Sequence, residues 1–526
     1  MSRNVWRDEH PGVGLRRENL NFPWLESSCV LIALSAGWVV AQSDFIMALQ
    51  LVLVLVGIII GGYVLHRPFH QGFALYMALM AFNYYYFYCA KLTGRNPSDF
   101  GDWGIPATPL EKVQKDIFFF VLLALALIKL FKDKMEGHPF WSRRLEHPLF
   151  KLILLYGAYV VTHGIFWIME GENSFNILQY IRTSIEFAVI PLLMCTALIR
   201  SEKQINTVFK GILYSLPVVS ILGIIEFFIK GSAYERSYFG GQMFYRAVST
   251  LQNPNNLGAY LGTVLGLYIL YYLYGQLNRF ERWWFWPSLI LGISCLFMTI
   301  SRSSILIFFI MITLTLVVHF FAGRKDRKQQ SGVIWKPLLG YGLLVGASGL
   351  VLIQYFDFSH AMVNAVDLYV DNRSVLSQNR LYAPVISMAA LLESPMTALF
   401  GYTPSGYIGS DNSIANVLVQ NGVIGFLLYV AIWQRALMDG LFGAIRGQAG
   451  RAHLYMASFY LIGFQILHGF TSPINKNFPH NMYFWFTVGV LIWLGSRPAR
   501  STPTEEIPSA DQQAAPAILA GDVAVP

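Results

Sequence analysis

Arginine, asparagine, serine and a single aspartate gather in four short polar clusters of an otherwise apolar chain. The first runs Arg246-Ala247-Val248-Ser249-Thr250-Leu251-Gln252-Asn253-Pro254-Asn255-Asn256 and the second Ser301-Arg302-Ser303-Ser304. The third is Arg380-Leu381-Tyr382, with Phe400-Gly401-Tyr402-Thr403-Pro404-Ser405-Gly406 after it; the fourth is Asp411-Asn412, nine residues before Gly422-Val423-Ile424-Gly425. A guanidinium fork suits an oxyanion with several acceptor oxygens, and a carboxylate can take or orient a hydroxyl proton. Side-chain amides can bind hydroxyls or position those charged groups. Each cluster also has a plainer reading. Asn253 and Pro254 suit the start of a helix, and Asp411 suits an N-cap. Arg302 can snorkel to an interface and Arg380 can anchor a surface helix. Against the plainer reading of Arg302, an arginine at membrane depth costs roughly 2.5 to 3.5 kcal/mol.

The elements that must hold these residues are apolar. Of 526 residues, 55% are hydrophobic and 13% charged, and the apolar ones fall in blocks about twenty long, the length of a membrane-crossing helix. Fourteen spans are expected, near 25–42, 45–65, 69–90, 117–131, 149–169, 181–199, 205–229, 255–275, 284–300, 303–322, 336–355, 412–434, 453–471 and 481–496. The expected fold is thus an all-α integral membrane protein, with a cytoplasmic segment 1–24, a membrane domain 25–496 and a Pro/Ala-rich tail 497–526 expected to be disordered. The N-terminus lacks the cleavage pattern of a signal peptide, so the first span is expected to remain as an anchor.

Basic residues set the orientation, because Lys and Arg collect on the cytoplasmic side. Arg3, Arg7, Arg16 and Arg17, then Lys129, Lys132, Lys134, Arg143 and Arg144, then Arg324, Lys325, Arg327 and Lys328, and finally Arg435, Arg446 and Arg451 occupy alternate connections. Both termini are then cytoplasmic. The net charge of +8 resides mainly in these short loops, which argues against nucleic acid as a partner. Cys29, Cys89, Cys195 and Cys295 fall in or beside apolar runs and read as packing residues.

On this topology all four clusters face outward. The longest outer connection runs from Phe356 to Asp411, and its stretch Leu381 to Phe400, with Pro384 and Pro395 near the ends, has the mixed character of an interfacial helix. Asn412, Asn416 and Gln420 recur every four residues and share a helix face. Arg182 and Glu186, four apart, can pair with each other, and Arg182 lies close enough to the outer surface to add charge to a site.

In order and content the clusters resemble the O-antigen ligase and O-antigen polymerase (Wzy-like) superfamily of bacterial membrane glycosyltransferases, over roughly residues 240–430. The shared features are an Asn-Pro-Asn element opening a span, a Ser-Arg pair between two later spans, and a long outer loop. That loop begins its helix near an Arg, passes a Gly-Tyr turn and closes on a dipeptide with Asn second before Gly-x-x-Gly. The resemblance implies a GT-C-like fold in the bacterial inner membrane with a periplasmic active site. It implies transfer of glycan from an undecaprenyl-diphosphate-linked oligosaccharide to a sugar hydroxyl. One departure matters: the ligases carry His before that Asn, where this chain has Asp411. Together with fourteen expected spans, this tilts the reading to a polymerase of O-antigen or exopolysaccharide repeat units over a ligase acting on a lipid core. The other outer His-Asn pair, His480-Asn481, lacks the spaced glycines.

Such a reaction would draw on Arg302 and Arg246 to hold the diphosphate and its developing charge, and on Asp411 to orient or deprotonate the attacking hydroxyl. Arg380, Asn253, Asn412, Arg182 and Ser301 would bind substrate. The sequence has no Asp-x-Asp element, and the expectation is a metal-independent reaction with no cofactor. Expected partners are the lipid-linked donor, a glycan or lipid-core acceptor, membrane lipids and other polysaccharide-assembly proteins. The rival from another class is a transporter of lipid-linked glycans, which would show internal repeats and broken helices at the midplane.

Overall fold

The computed structural model describes residues 69–82, 146–174, 201–229, 237–239, 242–244, 246–251, 253–322, 394–402, 413–446, 451–472 and 479–496, with isolated positions between them. The chain divides into two compact units, Met1–Gly72 and Phe73–Pro526. All but the first four described residues belong to the second.

The described helices are α1 (Phe69–Leu79), α2 (Pro148–Met169), α3 (Glu202–Ile229), α4 (Pro254–Leu273), α5 (Arg279–Met298), α6 (Arg302–Ala322), α7 (Pro395–Phe400), α8 (Ser413–Arg446), α9 (Ala452–Gly469) and α10 (His480–Gly495). A short hairpin of β1 (Ser237–Phe239) and β2 (Gln242–Phe244), paired antiparallel, is the one sheet among the described residues. Helices coincide with eight of the expected spans, those from 149 to 169 and from 205 onward except 336–355. Five helices, α2, α3, α4, α6 and α8, are long and apolar enough to cross a membrane. The expected spans 25–42, 45–65 and 336–355 lie outside the described residues, as does most of the outer loop.

Several helices carry their apolar residues outward and polar ones inward, a distribution compatible with a helical membrane protein. On α6, Leu306, Ile310, Leu314 and Val317 are exposed while Ser304 and Thr315 are buried. Phe280, Trp283, Trp284 and Trp286 crowd the exposed start of α5, the composition of an aromatic belt at an interface.

At the core, α9 packs against α8, α4, α6 and α10. Small residues on α4 set how close the helices come: Gly258 faces Ser301 and Ser304, Gly262 faces the Phe464 ring, and Gly266 faces Tyr460. Tyr460 OH donates to Gly262 O at 2.6 Å. Residues four apart share a face, so this glycine stripe lets α6 and α9 approach the α4 backbone.

The small helix α7 starts within the stretch expected to form one interfacial helix. Ser394 is extended (φ −145°, ψ 152°) and makes a capping box with Thr397 ahead of Pro395. The chain therefore bends at Ser394, and residues 381–400 do not form one continuous helix. Proline at the first helical position, which lacks an N–H to satisfy, favours a start at that point.

Candidate functional site

The first two clusters meet. Arg246 follows the hairpin and is half-buried; its Nε donates to Thr299 O at 2.8 Å and its Nη2 to Asn255 Oδ1 at 3.1 Å. Ser301 Oγ donates to the same Asn255 oxygen at 3.1 Å. The chain of contacts continues inward, Ser301 Oγ to Ser304 Oγ at 2.8 Å and Ser304 Oγ to His468 Nε2 at 2.8 Å. Four elements thus contribute: the 246–251 segment, the start of α4, the turn into α6 and the end of α9. Because the Ser301 proton goes to Asn255, the Ser304 proton goes to Ser301, and His468 Nε2 must be the donor to Ser304. His468 Nδ1 is then an acceptor with no hydrogen-bond partner.

Local structure explains why these residues are where they are. Buried Glu226 on α3 accepts from the N–H groups of Val248 and Ser249 at 3.0 and 2.5 Å. Ser249 Oγ donates to Val219 O at 2.8 Å, and Ala247 N to Met298 O at 2.9 Å. Ser249 and Ile300 both sit at φ 51°, a left-handed conformation that costs a non-glycine residue of order 1–3 kcal/mol. The two strained turns face each other through the Arg246–Thr299 bond, and the buried contacts of Glu226 offset part of their cost.

Asn253 takes its plainer role. Its Oδ1 accepts from Asn255 N at 2.8 Å as the N-cap of α4, with Pro254 next. Arg302 opens α6 with an exposed side chain, while Ser301 is buried beside it. His480, weighed in the sequence as half of a second His-Asn pair, is buried, and its Nε2 lies 3.1 Å from Asn256 O. It ties the start of α10 to the start of α4. Arg380, Asp411, Asn412 and Arg182 lie outside the described residues.

The Gly-Tyr turn and the Gly-x-x-Gly element are joined to one another. Gly422 (φ 59°, ψ −172°) kinks α8, and a Cβ there would collide with Leu399 O and Gly401 N. Gly401 (φ 82°) abuts Gln420 and Gly422 in return, and Tyr402 N donates to Val419 O at 2.7 Å. Gly425 leaves room for Tyr159, whose OH donates to Asn421 O. Behind the kink runs a directed chain: Trp167 Nε1 donates to His163 Nε2 at 2.7 Å, His163 Nδ1 to Tyr180 OH at 3.4 Å, and Tyr180 OH to Asn421 Oδ1. The glycines are therefore docking points for the end of the long loop.

Among the described residues, no group of three His, Cys, Asp or Glu side chains is placed to hold a metal ion. No family model matches the chain, and no curated protein is significantly similar to it.

Proposed function

We propose that this protein is a membrane glycosyltransferase that polymerises lipid-linked repeat units, moving glycan from undecaprenyl diphosphate to an acceptor sugar hydroxyl. The observation that carries this reading is the junction of Arg246, Asn255 and Ser301, which seats an arginine beside the turn that leads to exposed Arg302. As the acceptor oxygen attacks the anomeric carbon, the bond to the lipid diphosphate breaks and negative charge grows on the departing phosphate. Two guanidinium groups at one end of the helices supply the opposite charge, and Arg246, fixed by two acceptors, needs little reorganisation to do so.

Asp411 is assigned the acceptor hydroxyl. It lies two residues before α8, and Ser413 Oγ at the start of α8 donates to Ser472 O at 2.8 Å, four residues beyond His468. This brings the start of α8 to the end of α9 at which the Ser304–His468 contact lies.

The test is to supply purified protein with an undecaprenyl-diphosphate repeat unit and follow the length of the lipid-linked product. Ladders that vanish in Arg302→Ala and Asp411→Asn support a polymerase. One transfer onto a lipid core with no ladder points to a ligase. Relocation of unchanged substrate across vesicles would replace catalysis with transport.

A further inference from the structure

A second polar site lies at the opposite end of the helices. Helix α8 leaves the Ser413–Ser472 contact, kinks at Gly422 and ends at Arg446, and α9 returns from Arg451 to His468. Around the far end of α8 is a cavity of about 790 Å³ lined by His147, Gln434, Arg435, Asp439, Arg446 and Tyr455, among others. None of these belongs to the candidate glycosyl-transfer site.

Two arginines line this cavity. Arg435 Nε is paired with Asp439 Oδ2 at 3.0 Å, and its terminal nitrogens have no partner among the described residues. Arg446 lies with its Cζ 5.5 Å over the Phe442 ring and has no carboxylate partner among the described residues. His147 caps α2: its Nδ1 accepts from Leu149 N at 3.3 Å. The neutral ring must then carry its proton on Nε2. That nitrogen meets the Cα side of Gly495, where any Cβ would collide with it. Burial pushes His147 below the ordinary imidazole range; Asp439 opposes this and Arg435 adds to it. Two arginines against one carboxylate leave the cavity electropositive.

Beside it, Met438, Phe442 and Ile445 are exposed, and their spacing of four and three places them on one apolar stripe of α8. A polar, cationic cavity adjoining an exposed apolar stripe matches an amphiphile with a phosphate head. We propose that the cavity binds a phosphate group, carried by an anionic phospholipid whose acyl chains lie along Met438, Phe442 and Ile445, with Arg446 and Arg435 as the charges.

The experiment uses the full chain in detergent, with Tm followed as dioctanoyl phosphatidylglycerol, dioctanoyl phosphatidylcholine or inorganic phosphate is titrated in. Phosphatidylglycerol is expected to raise Tm saturably and phosphatidylcholine to do so weakly. Loss of a charge-assisted contact in Arg446→Gln should weaken the half-saturating concentration at least about tenfold. Asp439→Asn, which releases Arg435 and removes the one acidic group among the described lining residues, should tighten it. That opposite sign is what a merely structural role would not give, and it stands even if Arg446→Gln folds poorly. Inorganic phosphate acting as well as the lipid, and sensitive to both substitutions, would keep the anion site and assign it to a soluble phosphate compound. Equal response to the two lipids, or binding unchanged in both variants, overturns the proposal. No readout here involves glycosyl transfer, so the two readings fail independently.

Discussion

Arg246 and Thr299 lie 53 residues apart in the chain, yet the arginine Nε donates to the threonine carbonyl at 2.8 Å. That bond joins two turns, each holding a non-glycine residue at positive φ. It also fixes the guanidinium next to the segment that begins α6 with Arg302. A carbonyl at a helix end has spare acceptor capacity, so the arginine satisfies a group that the fold leaves open and is oriented in doing so. Its Nη2 contact with Asn255 fixes the plane of the fork.

Glu226→Gln should therefore reduce transfer without touching substrate. The carboxylate accepts from two successive N–H groups of the 248–249 turn, and hydrogen bonds to a charged acceptor contribute about 1.5–3 kcal/mol. The expected result is a lower Tm and a lower kcat with KM nearly unchanged, because Arg246 is less firmly held while the binding surface persists. A full-rate variant would show that the turn does not need the carboxylate.

His468 should act as a positioning residue. It is buried and reaches the site only through Ser304 and Ser301. Ser304→Ala deletes the link and leaves His468 Nε2 without its acceptor, at a cost of about 1–3 kcal/mol in stability. His468→Gln can keep a donor toward Ser304 and should restore part of the activity lost in His468→Ala. The comparison is made on initial rates of ladder formation at matched protein levels. Equal rates for Gln and Ala would remove the role.

Apolar run length made most of the described helices legible, since a block of about twenty apolar residues has few other uses, and the Arg246, Asn255 and Ser301 neighbourhood was legible as two polar clusters at the ends of expected spans. Their contact was not, because spacing along a chain does not encode which spans pack together. His468 gave no signal for the same reason: it sits near the end of an apolar run with nothing periodic about it. Glu226 was hidden inside a span. Of the four-residue recurrence Asn412, Asn416 and Gln420, Asn412 lies outside the described residues and Asn416 is buried on α8; Asn421 is the residue joined to Tyr180 and Tyr159. A count of residues four apart does not single out Asn421, which follows Gln420 directly and lies about 100° round the helix from it.

At the far end, acid should loosen the α3–α5 contact. Buried Glu281 accepts from Lys210 Nζ at 2.7 Å, Tyr214 OH at 2.5 Å and Asn278 N at 2.6 Å. Burial alone would raise its pKa, but the bonds from Lys210, Tyr214 and Asn278 outweigh it and hold the carboxyl below its ordinary value. A depressed folded-state pKa contributes stability that is present above the unfolded value of 4.5 and lost as pH falls through the folded one. Glu281→Gln should accordingly lower Tm at pH 7 and lose that difference progressively below about pH 4.5. A gap that stays constant down to pH 3 would mean that the carboxylate's charge is immaterial.

Two glycine-to-alanine substitutions of the same chemistry should have opposite effects. At Gly157, within α2, a Cβ meets nothing within 4 Å, so Gly157→Ala should stabilise by about 0.5–1 kcal/mol through helix propensity alone. At Gly422 the backbone is at φ 59°, and a Cβ would strike Leu399 O and Gly401 N. Alanine there cannot be accommodated by rotating a side chain, because the atoms it meets are backbone. Either the kink in α8 straightens or residues 394–402 lift away, and both break the Tyr402 N to Val419 O bond. Gly422→Ala should therefore expose the 394–402 segment to protease while α9 and the helices other than α8 packed on it keep their protection. If Gly422→Ala resisted protease as the parent does and kept its Tm, the turn would not depend on this close approach, and the glycine would have to be explained by something other than the docking of the loop.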